Sequence, residues 1–481
     1  MTDIGGPRLV HRTRIADTET AVSAALKLMQ PGRGDFVLES VEAGETRGRY
    51  SLIGLAPDLL FRVQDGVAAC NRRWLQDPDA FEALSDPPVA ALRALVGECR
   101  LPVPDGLPPA LSLLVGYFGY ETLTMVETVA RAPGDPLRLP DMLFVRPTLL
   151  LVFDRLADTL TFVAPLWTGG DEGEALARID DAEARLNGPV PAGAPVTAAL
   201  PDVEPEATLP PAQYGAMVDA AREYIEAGDI FQVVLAQRFT APFPLPPIAL
   251  YRALRRINPS PFLFFLDLPG FALIGSSPEI LVRARDGEVT IRPIAGTRPR
   301  GRTARDDDAA AESLLADPKE RAEHLMLLDL GRNDVGRVAE AGSVRVTADH
   351  LVERYSHVMH IVSNVSGRLR VDRDALDALF AGFPAGTVSG APKLRACQIV
   401  AALEPEVRGP YAGGVGYFAP DGGMDSCIVL RTAIVKDGVM HVRAGAGIVA
   451  DSDPAYEARE CAAKAGALFA AAREAVRLAG R

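Results

Sequence analysis

Aromatic side chains make up only 6% of the 481 residues, and the chain has just six histidines and five cysteines. The cysteines (Cys70, Cys99, Cys397, Cys427 and Cys461) are odd in number and widely spaced, with no C-x-x-C pair. That excludes a disulfide scaffold and reads as small buried thiols in a reducing compartment. His324 and His357 have no partners at zinc spacing, so no transition-metal centre is expected. No apolar run approaches the ~18 residues of a membrane-crossing helix. The stretch Leu149–Phe153 stops at Asp154 and Arg155 and reads as a strand. Met1-Thr-Asp-Ile-Gly-Gly-Pro7 lacks a basic segment followed by an apolar core, so no signal peptide is expected and a cytoplasmic location is. Positive charge is also short: 50 Lys+Arg against 63 Asp+Glu give a net −13. That speaks against nucleic acid, and the average field weighs against a small anionic substrate. There is no G-x-S-x-G elbow, no G-x-x-x-x-G-K-[ST] loop and no cysteine in a nucleophile-type context.

With 48% hydrophobic and 23% charged residues, the remaining composition is that of a folded globular protein. The length allows two or three domains at ~150 residues each. A seam lies between Asn187 and Tyr214, where seven prolines (Pro189, Pro191, Pro195, Pro201, Pro205, Pro210 and Pro211) fall among Ala, Gly and Thr. Such a stretch holds no helix and has too little apolar content for a core strand. Upstream, strand-like runs (Phe36–Glu39, Tyr50–Ile53, Leu111–Phe118, Leu149–Phe153) alternate with helices at Thr20–Met29 and Ala175–Leu186. Downstream, Tyr214, Met217, Val218, Ala221, Tyr224 and Ile225 share a helix face, and Gly228 stops it. Strands follow at Phe231–Phe239 and Phe262–Leu266, then helices at Ala322–Leu330 and from about Pro454 to Leu478. Strands and helices intermix without a strict βαβ period, which predicts an α+β architecture on large, mostly antiparallel sheets.

Two E-x-x-E pairs stand out, Glu320 with Glu323 and Glu457 with Glu460. Residues at i and i+3 share a helix face, so each pair can aim two carboxylates at one point. Two such faces meeting would suit a hard cation such as Mg²⁺. By spacing alone a solvated face is favoured, because E-x-x-E is common on helices and Glu460 with Lys464 makes an i,i+4 surface pair. Gly445 and Gly447 sit at a strand end ahead of the helix start Ser452-Asp-Pro454. There glycine lets backbone N–H groups approach an anion, and a carboxylate fits better than a nucleotide phosphate. In Phe383-Pro-Ala-Gly-Thr-Val-Ser-Gly-Ala-Pro-Lys393, Ser389 reads as a helix cap and Thr387 could point a hydroxyl into a site. His360 lies on a strand-like run and could act as acid or base near neutral pH.

Taken in order, Ile291-Arg-Pro-Ile-Ala-Gly-Thr-Arg-Pro-Arg-Gly301, Glu320 through Asp334, Gly386-Thr-Val-Ser-Gly-Ala-Pro-Lys393 and Ala444 through Asp453 resemble the chorismate-utilising enzymes. The closest likeness is to the anthranilate synthase component I branch. Val37-Leu-Glu-Ser40, Gly48-Arg-Tyr-Ser51 and Asn258-Pro-Ser-Pro-Phe262 extend it into the N-terminal half. The resemblance implies two large antiparallel sheets packed as a sandwich with flanking helices. It divides the chain into an N-terminal regulatory domain at 8–187, a Pro-rich linker at 188–211 and a chorismate-binding catalytic domain at 212–472. It implies Mg²⁺ held by Glu323 and Glu460, with Glu320 and Glu457 beside them directly or through water. Arg431, Tyr411, Gly445, Ala446 and Gly447 would bind the pyruvyl side, Gly296 and Thr297 would also touch substrate, and Lys464 would add positive potential. Thr387 would face the ring, and His360 and Glu279 would serve proton transfers, either one taking the carbon-2 proton.

The implied reaction is that of a carbon–oxygen lyase, chorismate plus ammonia giving anthranilate plus pyruvate at the committed step toward tryptophan. Gln232 stands where isochorismate and salicylate synthases carry a lysine base, and a neutral amide cannot deprotonate water. Ala295 stands where aminodeoxychorismate synthases often carry a nucleophilic lysine. Some of those enzymes lack that lysine, so aminodeoxychorismate synthase component I is the alternative. The resemblance further implies ammonia from a separate glutamine amidotransferase subunit (component II), hence a hetero-oligomer. It also implies feedback inhibition by L-tryptophan at Ser40, Pro261, Phe262 and Leu263.

Overall fold

Two long strands, Thr46–Gln64 and Met142–Asp154, organise the molecule. The computed structural model describes residues 6–42, 46–108, 111–191, 202–355 and 358–479. The long pair runs antiparallel from Tyr50–Asp154 to Val63–Met142 and bends where Pro57 faces Pro147. Neither proline can donate to the ladder, so pairing lapses there. Ala56 turns the corner with a φ of 48°; its N–H donates to Asp35 at 2.8 Å, and its carbonyl accepts from Thr148 at 2.7 Å.

Beyond the bend the pair splits its partners between two arms. On one side it meets Asp35–Glu42, which continues through Phe262–Leu268, Phe271–Ser277, Thr432–Lys436 and Val439–Ile448 to Gln232–Pro242. On the other it meets Leu114–Phe118, which continues through Gly414–Phe418, Met424–Ile428, Ile280–Arg285 and Glu288–Ile291 to Val358–Arg368. Each of these ladders is antiparallel. The two sheets expected from the sequence are therefore two arms of one hydrogen-bonded network, sharing the long pair.

The alternation of side chains makes this a sandwich, because neighbours on a strand point to opposite faces. Phe36, Leu52, Tyr117, Leu143 and Leu150 turn into a core between the arms. Their successors Val37, Ile53, Phe118, Phe144 and Leu151 turn outward to a larger core. Helices cover that outer face. Pro454–Ala479 lies on Val439–Ile448 and packs against Pro211–Glu226 and Pro247–Ile257. The helix boundaries at Ala21–Leu28, Pro211–Glu226 and Pro454–Ala479 lie near the predicted ones, with Thr20 capping the first and a φ of 81° at Gly228 after the second. The helix expected at Ala322–Leu330 runs from Pro318 to Gly336. All five cysteines are buried and free. Among the described residues no helix is long and apolar enough to cross a membrane.

Three local readings change. Ser389 does not cap a helix: its hydroxyl donates to Ala385 O at 2.8 Å, and the helix Lys393–Leu403 begins behind Pro392. The strand expected from Leu111 starts at Leu114. In the Pro-rich stretch, Glu206–Ala207 adds a short edge strand to Phe239–Thr240, and Val203 and Leu209 are buried. Pro195, Pro201 and His357 lie outside the described residues.

Candidate active site

His360 sits on Val358–Arg368, buried at 8% exposure. Its Nδ1 lies 2.9 Å from Gly296 O and 3.1 Å from the Thr297 hydroxyl. A carbonyl only accepts, so Nδ1 carries the hydrogen and Nε2 keeps its lone pair. Burial pushes the imidazole below its ordinary pKa, which favours this neutral form. Gly296 adopts a φ of 66°, and a Cβ there would stand 3.0 Å from Glu320 Oε2 and 3.1 Å from Leu314. The bare backbone thus joins the imidazole to the first acidic pair.

Glu279 follows the joint after Phe271–Ser277 and is buried. It accepts from the Thr387 hydroxyl at 3.1 Å, and the Ile294 N–H stands near it. Burial nevertheless pushes its carboxyl up to about 8, with the Thr387 bond, the Ile294 N–H and the Arg431 charge opposing. Arg431 lies between Met424–Ile428 and Thr432–Lys436 with a φ of 48°, an uncommon backbone for a side chain of this size. Among the described residues its guanidinium forms no hydrogen bond or ion pair, although burial pushes its pKa down and Tyr355 and Glu279 stand near. A half-buried, uncommitted guanidinium is an anion receptor in waiting.

The glycine-rich strand end works by close approach. A Cβ on Gly445 would stand 2.8 Å from the Tyr411 hydroxyl, and one on Gly447 would stand 2.5 Å from the Gln232 amide nitrogen. Between them Ala446 is fully buried. Lys464 reaches across to donate to Gly445 O at 2.9 Å and to pair with Glu460 at 2.7 Å. Gln232 also stands close to Glu323, so one amide bridges the strand end and the acidic helix.

The helix Pro318–Gly336 carries Glu320 and Glu323, and the helix Pro454–Ala479 carries Glu457 and Glu460. Lys464 acts on Glu323 and Lys319 on Glu457, so the two helix starts share one electrostatic neighbourhood. Burial and then Glu320 push the Glu323 carboxyl up; burial and, among nearby charges, Glu460 do the same to Glu457. This is negative charge left short of compensation, on oxygen donors of the kind a hard divalent cation takes. The donor chemistry therefore fits such a cation. Among the described residues, however, no three His, Cys, Asp or Glu side chains already surround one point. Glu320 is drawn to Arg298 at 2.8 Å and Glu460 to Lys464.

Ser40, Pro261, Phe262 and Leu263 do not join this cluster. They line a separate cavity of about 900 Å³ between the arms, with Tyr50, Tyr417 and several arginines. Ser40 and Phe262 are cross-strand partners. Sequence reasoning missed Gln232 as a tether, and also the buried pair behind Tyr411. There Arg408 bonds Glu404 at 2.6 Å, both side chains 1% exposed, and the guanidinium lies 5.7 Å from the Tyr411 ring. No spacing rule flags this pair, because the helix Lys393–Leu403 ends before both residues. Lys393, quoted only as part of a motif, neutralises buried Asp334 at 2.7 Å.

Comparison with known proteins narrows what this arrangement belongs to. The anthranilate synthase component 1 of Cereibacter sphaeroides is 49% identical over 477 residues, covering 98% of this chain and 95% of that protein. The anthranilate synthase component 1 of Thermus thermophilus is 48% identical over 464 residues, covering 96% and 97%. The crystal structure of anthranilate synthase component I from Streptococcus pneumoniae superposes with a TM-score of 0.79 at 36% identity, covering 88% of this chain and 92% of that one. The menaquinone-specific isochorismate synthase of Escherichia coli shares the fold at a TM-score of 0.73 and 21% identity, covering 97% and 95%. A family model described as chorismate binding enzyme matches residues 36–470, and the chain belongs to that family.

Proposed function

We propose that this chain is the component I subunit of an anthranilate synthase, converting chorismate and ammonia into anthranilate and pyruvate. The observation that carries this reading is similarity over nearly the whole chain to proteins named anthranilate synthase component 1, at 49% and 48% identity. Within the site, burial pushes the Glu279 carboxyl up to about 8 and the His360 imidazole below its ordinary value, which favours a protonated carboxyl and a neutral imidazole. A site that replaces a hydroxyl by an amine and then aromatises the ring needs such an acid and such a base together.

Arg431 receives the carboxylate of the enolpyruvyl side chain, with Tyr411 and the Gly445–Ala446–Gly447 backbone beside it, while Gly296 and Thr297 complete the wall and Thr387 faces the ring. Glu323 and Glu460 would hold Mg²⁺, with Glu320 and Glu457 supporting them and Lys464 adding positive potential. When bound, the ion supplies charge stabilisation to the ring carboxylate and the departing oxygen. Ammonia forms the new bond at ring carbon 2 while the 4-hydroxyl leaves as water, and Glu279 delivers the proton that water needs. His360 Nε2 then takes the carbon-2 proton as the bond from ring carbon 3 to the enolpyruvyl oxygen breaks. The side chain gains a proton and departs as pyruvate. Neutral Gln232 and Ala295 support amination over hydration or a covalent route.

Product analysis tests the reading. The purified chain with chorismate, ammonium and Mg²⁺ is expected to release anthranilate and pyruvate, to stop with a chelator and to recover with added Mg²⁺. An aminated product retaining the enolpyruvyl group would instead identify an aminodeoxychorismate synthase.

A further inference from the structure

Tyr355 stands between the catalytic cluster and the cavity that separates the arms. It follows the strand Arg345–Arg354, is buried at 7% exposure, and lines the cavity together with Ser40 and Phe262. Its other side meets the catalytic residues. The ring centroid lies 5.6 Å from that of His360 at a tilt of 60°, and the hydroxyl is close enough to feel Glu279 and be felt by Arg431.

The tyrosine is fixed at both ends. Its hydroxyl donates to Glu353 Oε2 at 2.9 Å, and the other oxygen of that carboxylate pairs with Arg292. Its own N–H donates to Val358 O at 2.8 Å, and its carbonyl accepts from Arg300 at 2.5 Å. Glu353 is, besides, the cross-strand neighbour of His360. The Nδ1 bond to Gly296 anchors one edge of the imidazole and leaves the ring free to pivot about it. The Tyr355 ring, tilted against the imidazole, packs beside that pivot.

We propose that Tyr355, held by Glu353 and Arg292, is a positioning residue that keeps His360 Nε2 aimed at the substrate. The inference rests on the base role assigned to His360 above. Small misplacements of a catalytic group cost up to about 10²-fold in rate, and the tether here is a hydrogen bond to a charged acceptor. Losing it should act on kcat rather than on substrate binding, because the tether orients His360 and leaves the Arg431 guanidinium in place.

The test uses the full chain with chorismate, ammonium and Mg²⁺, comparing wild type with Tyr355→Phe, Glu353→Gln and the double variant. Each single variant is expected to lower kcat by about tenfold, with KM within about twofold and an unchanged thermal midpoint. The double variant should fall no further than the worse single one, because hydroxyl and carboxylate form one tether. Single variants with wild-type kcat overturn the inference, as do losses that multiply in the double variant. A kcat loss that only tracks a lowered thermal midpoint overturns it too. An inactive wild type would overturn the assignment of His360 itself, and this inference with it; an active wild type beside an unaffected Tyr355→Phe overturns this inference alone.

Discussion

Glu279 shows how far burial can move a single side chain. Folded, it holds its proton up to about pH 8, whereas an exposed glutamate releases it near 4.5. Between those values the folded state binds more protons than the unfolded state, so stability falls as pH rises through the window. Glu279→Gln keeps the shape and removes the titration. Its thermal midpoint relative to wild type should therefore rise between pH 5 and pH 8, which a melting series at fixed salt would measure. Turnover in the same variant should drop by about 10² to 10⁴, the usual contribution of a positioned acid. A variant with both wild-type turnover and a wild-type pH slope would remove Glu279 from the mechanism.

Among the elements, the Asp35–Glu42 strand reaches the cavity between the arms. Ser40 faces the cavity of about 900 Å³ between the arms, with Phe262 directly across the ladder. That space is roomy enough for an amino acid with a large aromatic side chain, and Arg283, Arg285 and Arg49 on its walls suit a carboxylate. L-tryptophan is therefore expected to inhibit the wild-type chain. Ser40→Phe, which places a ring in the cavity, should relieve that inhibition while leaving ammonia-dependent turnover within about twofold. Initial rates against tryptophan concentration decide it, and unchanged inhibition in the variant would place the effector elsewhere.

For the whole molecule, the segments before and after the Pro-rich stretch are bound together by strands and by one buried charge cluster. Asp35–Glu42 pairs with Phe262–Leu268, and Leu114–Phe118 with Gly414–Phe418. The Glu39 carboxylate, 5% exposed, collects Arg155, Arg255, the Ser51 hydroxyl and the Tyr251 hydroxyl. Removing one partner of such a cluster leaves a buried charge under-compensated and typically costs about 3 kcal/mol or more. Arg255→Met should therefore lower the urea midpoint clearly without a change in the slope; an unaffected midpoint would show the cluster to be energetically slack. At the same scale we expect the purified chain to use ammonium salts but not glutamine until an amidotransferase subunit is added. Glutamine-dependent turnover by the chain alone would refute that.

Much of this was legible because helix periodicity and ordered motifs are local signals. The Tyr214 face and the placing of both E-x-x-E pairs at helix starts follow from spacing. Ser389 misled because its hydroxyl satisfies Ala385 instead of a helix start, a choice that depends on the turn around it. The two-arm bend at Pro57 and Pro147, the tether through Gln232 and the placing of Tyr355 join residues far apart in the chain, and no window of sequence contains both partners.

Charge draws the same line. The net −13 is fixed by the sequence, and taken alone it weighed against the dicarboxylate substrate now proposed. What the tertiary structure decided is where charge goes uncompensated: an uncommitted Arg431 beside a protonated Glu279, and clustered carboxylates short of cations. A binding site responds to the field within a few ångströms, in a low-dielectric pocket, and the distant surface charges that dominate the total are screened from it. Composition therefore bounds the class of protein, while what its site can hold depends on which charges the fold brings together.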